Sequence, residues 1–393
     1  MIFEPDTTNP YIAAAVDLRK IFALDAIERD QAGGRPAEQI RLLKESGLLT
    51  ILIPKQFGGA GEPYSTALKI TREFAKVDGS LGHIYGYHFS PIQNAITGGI
   101  NDQSADILRR SAAGNWFWGN TTNSFSKSLF GRRDGEWTIL NGFRPFASGS
   151  HVADYLTVAW EDEKSNERNF AHIPAEREGI TIAGDWDGIG QTQTGSGRVL
   201  YKDVKVHESE IVPGRANSTD PIRLLTPLQQ QSVLLNVFIG TAQGALLAAR
   251  DYTIHHSRPW MYSDVGRHID DPWIKRQYGE LWIKTQAATA LADRALRVVD
   301  EAYARGPELT ADERGKAAIA IASANVLAGK VALEVTTEIF EVMGARSAVR
   351  KQGFDRFWRN VRIHTLHNPA EYKTRNVGTW YLTGDYPEPG IFQ

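Results

Sequence analysis

The stretch RIHTLHNPAEYK at 362–373 sets His364 and His367 three residues apart, just before an Asn368-Pro369 break. On a helix that spacing puts both imidazoles on one face. Three uses follow: metal ligation, proton transfer, or packing alone. A catalytic metal needs a third ligand. Asp355 and Glu371 are near in sequence, but their spacing matches no ligand pattern and no HExxH is present, so no metal is expected. An imidazole with a pKa of about 6.5 can both donate and accept a proton near neutrality. A second pair, His83 and Tyr87, stands four apart in a helical stretch and shares a face. His151, His172, His207, His255, His256 and His268 read as surface or structural. FGGAGEP (57–63) is glycine-rich, but Tyr64 stands where a third glycine is needed and Pro63 restricts the turn. It reads as a turn and not as a nicotinamide-binding fingerprint.

These residues need elements to hold them. The chain has 393 residues with 42% hydrophobic and 23% charged side chains and a net charge of −2, an ordinary balance that argues against a nucleic-acid binder. No cysteine is present, which excludes disulfides, thiolate zinc sites and a cysteine nucleophile. Ten tryptophans suit an aromatic-lined pocket. No membrane helix is expected from the apolar runs. The first residues lack the pattern of a signal peptide, so the cytoplasm is the default location.

Helical periodicity runs from Pro10 to about Ala113, as in AEQIRLLKESGLL (37–49) and SLGHIYGYHFSPI (80–92). From Asn115 to about Val212 short strands replace it. WTILNGF (137–143) carries an Asn141-Gly142 turn signal, and RVLYKDVKV (198–206) is β-branched and aromatic. Long helices return after Pro221. Asp271-Pro272 is a helix start. Ile274, Tyr278, Leu281, Ala288, Leu291, Ala295, Val298 and Ala302 mark one stripe, and Thr310 with Glu313 is a capping box. The expected division is a helical domain over 1–114, a β-domain over 115–215 and a helical bundle over 216–393.

That order, with SGLLTILIPKQFGGAGEP (46–63), REFAKVDGSLGH (72–83) and LNGFRPFASGSHVADYLTVAW (140–160), resembles the acyl-CoA dehydrogenase fold. DGSLGHIYGYH (78–88), ARDYTIHHSRPW (249–260), GFDRFWRNVRIHTLHNPAEYK (353–373) and LTGDYPEPG (382–390) are similar to the flavin-dependent dibenzothiophene monooxygenase group within it. The resemblance implies an α+β, mostly α fold: an N-terminal helical domain, a central β-barrel-like domain and a C-terminal four-helix bundle.

A dehydrogenase of this fold needs a carboxylate base. The two family positions correspond to Asn368 and to the neighbourhood of Leu234, and neither offers one. The resemblance therefore implies a two-component monooxygenase. Reduced FMN would come from a separate NAD(P)H:flavin reductase, consistent with the missing nicotinamide fingerprint, and O2 would add at flavin C4a. The substrate would be a hydrophobic aromatic or organosulfur compound, such as a dibenzothiophene-like sulfide or an indole. His367 is implied as the catalytic imidazole, Ser148 as the hydroxyl near flavin N5, and Asn120, His83 and Tyr87 as pocket groups. Flavin contacts are implied for Tyr87, residues 120–125 (Asn120, Thr121, Thr122, Asn123, Ser124, Phe125), Arg144, Phe146, Ala147, Ser148, Arg258, Ala345, Arg346 and His367. The polar loop 121–133 would be a lid. Gly344-Ala345-Arg346 replaces the glycine-rich motif that touches the ADP half of FAD, which favours FMN. A homo-oligomer, a tetramer, is implied, with Arg346 donated across its interface. Asn368 stands where that group typically has Asp. An acyl-CoA dehydrogenase-like FAD enzyme and a non-catalytic helical scaffold are the alternatives.

Overall fold

The computed structural model describes residues 3–123, 125–213 and 218–390. Six helices come first: α1 (Pro10–Ala23), α2 (Ala26–Ala32), α3 (Ala37–Glu45), α4 (Tyr64–Ala75), α5 (Gly79–Thr97) and α6 (Asp102–Gly114). Strands follow: β1 (Trp118–Thr121), β2 (Leu129–Asp134), β3 (Trp137–Arg144), β4 (Tyr155–Asp162), β5 (Arg168–Pro174), β6 (Ile180–Ile182) and β7 (Val199–His207). The chain ends in α7 (Thr226–His255), α8 (Pro272–Ala304), α9 (Ala311–Met343), α10 (Asp355–Thr365) and α11 (Ala370–Thr383). The helix-to-strand change thus falls after Gly114, while the expected boundary at 215/216 lies outside the described residues.

One apolar core runs through α1, α4, α5 and α7–α10, so the first helices and the bundle share an interior. The sheet has its own core around Leu129, Leu140, Trp160, Tyr201 and Val206. Glycines allow the closest helix approaches. A Cβ on Gly244 of α7 would lie 1.8 Å from the Lys76 carbonyl oxygen, and one on Gly86 of α5 would lie 2.5 Å from a methyl of Val233. The α8 start is capped by Asp271, which accepts from the Trp273 amide at 2.9 Å, and the Thr310/Glu313 capping box opens α9.

Two expectations change. Asn141-Gly142 is not a turn but lies inside β3, where the register shifts at a bulge. Gly142 has φ 128°, and a Cβ there would sit 2.1 Å from the Ser128 carbonyl, so the glycine serves close strand approach. Contrary to the expectation from apolar runs, Arg223–His255 and Ala311–Met343 have the length and hydropathy (1.6) of membrane helices. Their apolar windows are 89% and 56% buried inside the fold, as befits core helices of a bundle.

β1 and β2 lie end to end along one edge of β4: Thr121 pairs with Val158, and Phe130 with Glu161. The segment between them leaves the ladder, and two guanidiniums fill the break. Arg144 donates to the Ala159 carbonyl at 2.6 Å and also to the Ser126 carbonyl. Arg168 donates to the Thr122 and Asn123 carbonyls at 2.8 and 3.0 Å. Both bond to Glu161, at 2.7 Å from Arg144 and 3.1 Å from Arg168. Arg144 is fully buried, so this side chain props the loop from inside and is not turned outward to a ligand. Replacing Glu161 with Gln would leave two guanidiniums over an uncharged amide. Breaking a buried pair this way costs about 3 kcal/mol or more, and equilibrium urea unfolding should show it; a loss under about 1 kcal/mol would mean the carboxylate is not the anchor.

Candidate active site

α5 carries the first two groups. Asp78 caps it by accepting from the Leu81 amide at 3.0 Å, and this fixes the helix phase that turns His83 and Tyr87 to one side. Their rings stack with centroids 4.5 Å apart and 7° between planes. α10 brings the third. His364, in its last turn, meets His83 with Nε2 2.7 Å from His83 Nδ1 and the rings stacked at 4.6 Å. His83, Tyr87 and His364 are buried. The sequence left the use of His364 open, and the structure makes it the direct partner of His83. The HxxH spacing was the available signal, but it does not say which imidazole points inward.

Burial pushes His83 down to about 3 and His364 well below its ordinary value, and it raises Tyr87. Both imidazoles are therefore neutral near pH 7, each with one N–H. One of those hydrogens occupies the bond between them. Of the two outer nitrogens, His83 Nε2 and His364 Nδ1, one is then a donor and the other an acceptor. Neither has a partner, and the Tyr87 hydroxyl has none either. Three buried polar atoms without partners, one an imidazole donor and one an imidazole acceptor, are what a polar ligand would satisfy.

His367 lies one turn further and keeps exposed surface at the mouth of the cluster. Crowding lowers its pKa, hydrogen bonding to Asn368 raises it, and the Lys373 ammonium lowers it again. Among the described residues no group of three His, Asp or Glu side chains is placed to hold a metal ion.

The β-domain contributes a second wall. After β3 the chain turns through Phe146 (φ 54°) and Gly149 (φ 76°), presenting Ser148 between them. The Asn120 amide donates to the Ser148 carbonyl at 3.1 Å, so the two flank one rim. Ser148 Oγ lies 2.7 Å from Ser196 Oγ, which lies 2.7 Å from Thr194 Oγ1, which donates to the Gln191 carbonyl at 2.9 Å. Each hydroxyl has one hydrogen, so the chain runs one way. Thr194 gives its hydrogen to Gln191, Ser196 to Thr194, and Ser148 to Ser196. Ser148 Oγ is left able only to accept from the site. Gln191 ties this wall to α10, its amide donating to Asn360 Oδ1 at 2.6 Å.

The remaining expected contacts divide. Asn120 Oδ1 is engaged by the Thr122 amide and hydroxyl, and Asn123 Oδ1 by the amides of Phe125 and Ser126. Thr121 is buried between Tyr201 and the Thr157 carbonyl, and Ala147 is also buried, so neither side chain faces out. Phe125 and Phe146 are exposed at the rim. Ser124 lies outside the described residues. Arg258, Ala345 and Arg346 are exposed elsewhere, where Ser257 donates to the Met343 carbonyl at 2.8 Å and joins the ends of α7 and α9. His364 instead sits against the middle of α7, its ring 6.4 Å from Phe238. Sequence reading also left His88 unassigned: it accepts from the Trp118 amide at 3.0 Å and lies 2.8 Å from the Leu49 carbonyl, bridging helix and sheet.

Comparison with known proteins identifies the family. Residues 18–115 match the acyl-CoA dehydrogenase N-terminal domain and 233–371 the acyl-CoA dehydrogenase C-terminal domain. The chain is 36% identical to a probable FMNH2-dependent monooxygenase, SfnC, of Pseudomonas putida, over 98% of both chains. It is similar to the methanesulfinate monooxygenase MsuC of Pseudomonas fluorescens, with 38% identity and a TM-score of 0.95 over 98% of this chain and 100% of that one. It is also similar to the dibenzothiophene monooxygenase TdsC of Paenibacillus sp. A11-2, solved with FMN and indole, with 34% identity and a TM-score of 0.92 over 98% and 100%. The fold and site define a protein of the acyl-CoA dehydrogenase class; within it, the chain belongs to the family of FMNH2-dependent monooxygenases, oxidoreductases acting with O2.

The buried imidazoles set a pH dependence. His83 is held to about 3 and His88 and His151 to about 4, whereas an unfolded imidazole takes its proton near about 6.5. Below that pH the unfolded state binds more protons, so stability is full above about 6.5 and falls at about 1.4 kcal/mol per pH unit per histidine until the folded values are reached. Urea unfolding should lose at least about 3 kcal/mol between about pH 7 and about pH 5; a flat profile would show the imidazoles are not held neutral.

Proposed function

We propose that the chain oxygenates an organosulfur compound, in the broad class spanned by dibenzothiophene and methanesulfinate, with reduced FMN delivered by a separate NAD(P)H:flavin reductase. The observation that carries this is the one-way hydroxyl chain. It leaves Ser148 Oγ as an acceptor, the complement of the N5–H that a reduced flavin carries and an oxidised flavin lacks. Reduced FMN, when bound, supplies the electrons that divide O2 between product and water; for a sulfinate the balance is RSO2⁻ + FMNH2 + O2 → RSO3⁻ + FMN + H2O.

The residues then have distinct tasks. Ser148 orients the flavin edge. The His83–His364 pair offers one donor and one acceptor: it can give its outer proton to a departing oxygen, pass a proton across the 2.7 Å bond and take another up at its outer acceptor, so that it ends neutral with donor and acceptor exchanged. His367 at the mouth re-protonates the pair from solvent. Phe125 and Phe146 exclude water at the rim. Arg258 and Arg346 take the phosphate. They lie at the helix ends, away from the imidazoles, so a second copy of the chain supplies them in a homo-oligomer, a tetramer. Trp273, Trp282 and Ile283 on α8 and Tyr381 and Leu382 on α11 are exposed apolar surface for that assembly. The absence of a carboxylate at Asn368 and Leu234 stands against α-proton abstraction and so against the dehydrogenase reading.

His364→Ala and His367→Ala should each divert reduced flavin from product to H2O2 by about 10²-fold, measured as product formed per H2O2 released; an unchanged ratio in both would remove the imidazoles from the chemistry. Ser148→Ala should weaken anaerobic binding of reduced FMN by about tenfold while leaving oxidised FMN unaffected. Equal losses for the two redox states would sink the acceptor role.

A further inference from the structure

The imidazole pair joins two helices that are far apart in sequence, and the short helix α2 holds both. It places Arg29 and Asp30 side by side, and each grips a different helix. Arg29 donates to the Asp78 carboxylate that caps α5, and to Gln193 Oε1 at 2.7 Å. Asp30 accepts from Arg359 Nη2 of α10 at 2.5 Å. Arg29 is fixed in turn by the Phe22 carbonyl and the Asp25 carboxylate, each at 2.8 Å. Arg359 also donates to the Ile189 carbonyl at 2.9 Å and to Asp355 at 2.8 Å.

These contacts fall about one turn before the imidazoles on each helix. The two helices touch there. A Cβ on Gly79 of α5 would lie 3.1 Å from Asn360 Cβ of α10 and 2.9 Å from Gln191 Nε2. A Cβ on Gly353, just before α10, would lie 2.8 Å from a methyl of Ile27 of α2. Asp30, Asp78, Ser80, Gln193, Arg356 and Asn360 line one small polar cleft between α2, α5 and α10. The loop that ends the hydroxyl chain is anchored at the same place. Thr192 Oγ1 donates to the Asp30 carbonyl at 2.9 Å, and Gln193 Nε2 to the Gly33 carbonyl at 3.2 Å. The imidazole bond is sensitive to where these helices sit: from 2.7 Å, a slip of about 0.8 Å between them takes it out of hydrogen-bonding range. Charge-assisted bonds are about twice as strong as neutral ones, so the contacts of α2 resist that slip better than neutral packing would.

We propose that Arg29 and Asp30 are positioning residues of the site: α2 sets the spacing of α5 and α10 at which His83 and His364 form their bond. They act through Asp78 and Arg359. The inference rests on the monooxygenase reading for its effect on the reaction, whereas the bond itself requires no flavin. Without the Asp30 carboxylate, Arg359 keeps Asp355, but Asp355 belongs to α10 itself and cannot hold that helix to α2. Without the Arg29 guanidinium, Asp78 still caps α5, but the cap is no longer tied to α2 or, through it, to Gln193.

The test reads the bond directly, by NMR of flavin-free protein labelled at histidine. The N–H shared by the two imidazoles gives a deshielded proton resonance, assigned by its loss in His364→Ala. Asp30→Asn and Arg29→Gln should each make that proton exchange with solvent at least about tenfold faster. In coupled turnover with reduced FMN, each should lower product formed per H2O2 released by about tenfold. Arg359→Gln should reproduce Asp30→Asn, and combining the two should add little to either, as for two halves of one contact. Glu73→Gln is the control. It removes a buried carboxylate that joins α1 to α4, paired with Arg19 at 2.6 Å and with Lys76 at 2.5 Å, and should leave both readouts as in the wild type. Unchanged exchange in both α2 variants would overturn the proposal and leave the monooxygenase reading as it stands. Equal acceleration in Glu73→Gln would also overturn it, by making the effect one of general stability. Faster exchange with an unchanged product ratio would show that the spacing does not serve the reaction, and the proposal would fall on that ground. If the wild type binds no reduced FMN and oxygenates neither dibenzothiophene nor methanesulfinate, the functional reading falls, while the exchange rates still decide whether α2 sets the bond.

Discussion

The candidate site is organised around a short bond between two buried imidazoles. His83 belongs to the first group of helices and His364 to the second-last helix, and their 2.7 Å contact closes the chain on itself. Two neutral rings satisfy each other at that contact and leave their outer nitrogens to the site, which no ion pair could do without adding charge to a dry interior. Everything around the pair works to present it. Asp78 fixes the phase of α5, and Asn360 ties α10 to the β-domain loop at Gln191. Glycine at 86 lets α5 lie directly on α7.

The β-domain solves a different problem. Between β1 and β2 the chain leaves the ladder, and that exposes backbone carbonyls. Arg144 and Arg168 take those carbonyls, and Glu161 balances the two charges. The loop therefore has a fixed floor even though Phe125 above it is exposed. The hydroxyl chain from Ser148 to Gln191 uses the same logic on a smaller scale: the last carbonyl sets the direction of every hydrogen before it.

Charge follows an uneven plan. Most buried cations are paired, as Arg29 is with Asp78 and Lys76 with Glu73. Lys373 is bound only by amides.

Much of this was legible in the sequence. Helical periodicity, the Asp271 and Thr310 caps and the β-branched runs located the helices, the sheet and the bundle, because caps and periodicity are local properties. Dispersed motifs were enough to mark His83, Tyr87, Ser148 and His367 for inspection. What the sequence left open was direction. Asn141-Gly142 carries a hairpin signal, yet cross-strand approach to Ser128 places it inside a strand. Arg144 sits among expected flavin contacts, yet the break beside β4 turns it inward. His364 and His367 look equivalent along the chain, and only the packing of α10 against α5 decides which one is buried against His83. That Lys373 is held by the amides of Asn325 and Asn368 is likewise a tertiary fact, because Asn325 comes from another helix, far away in sequence.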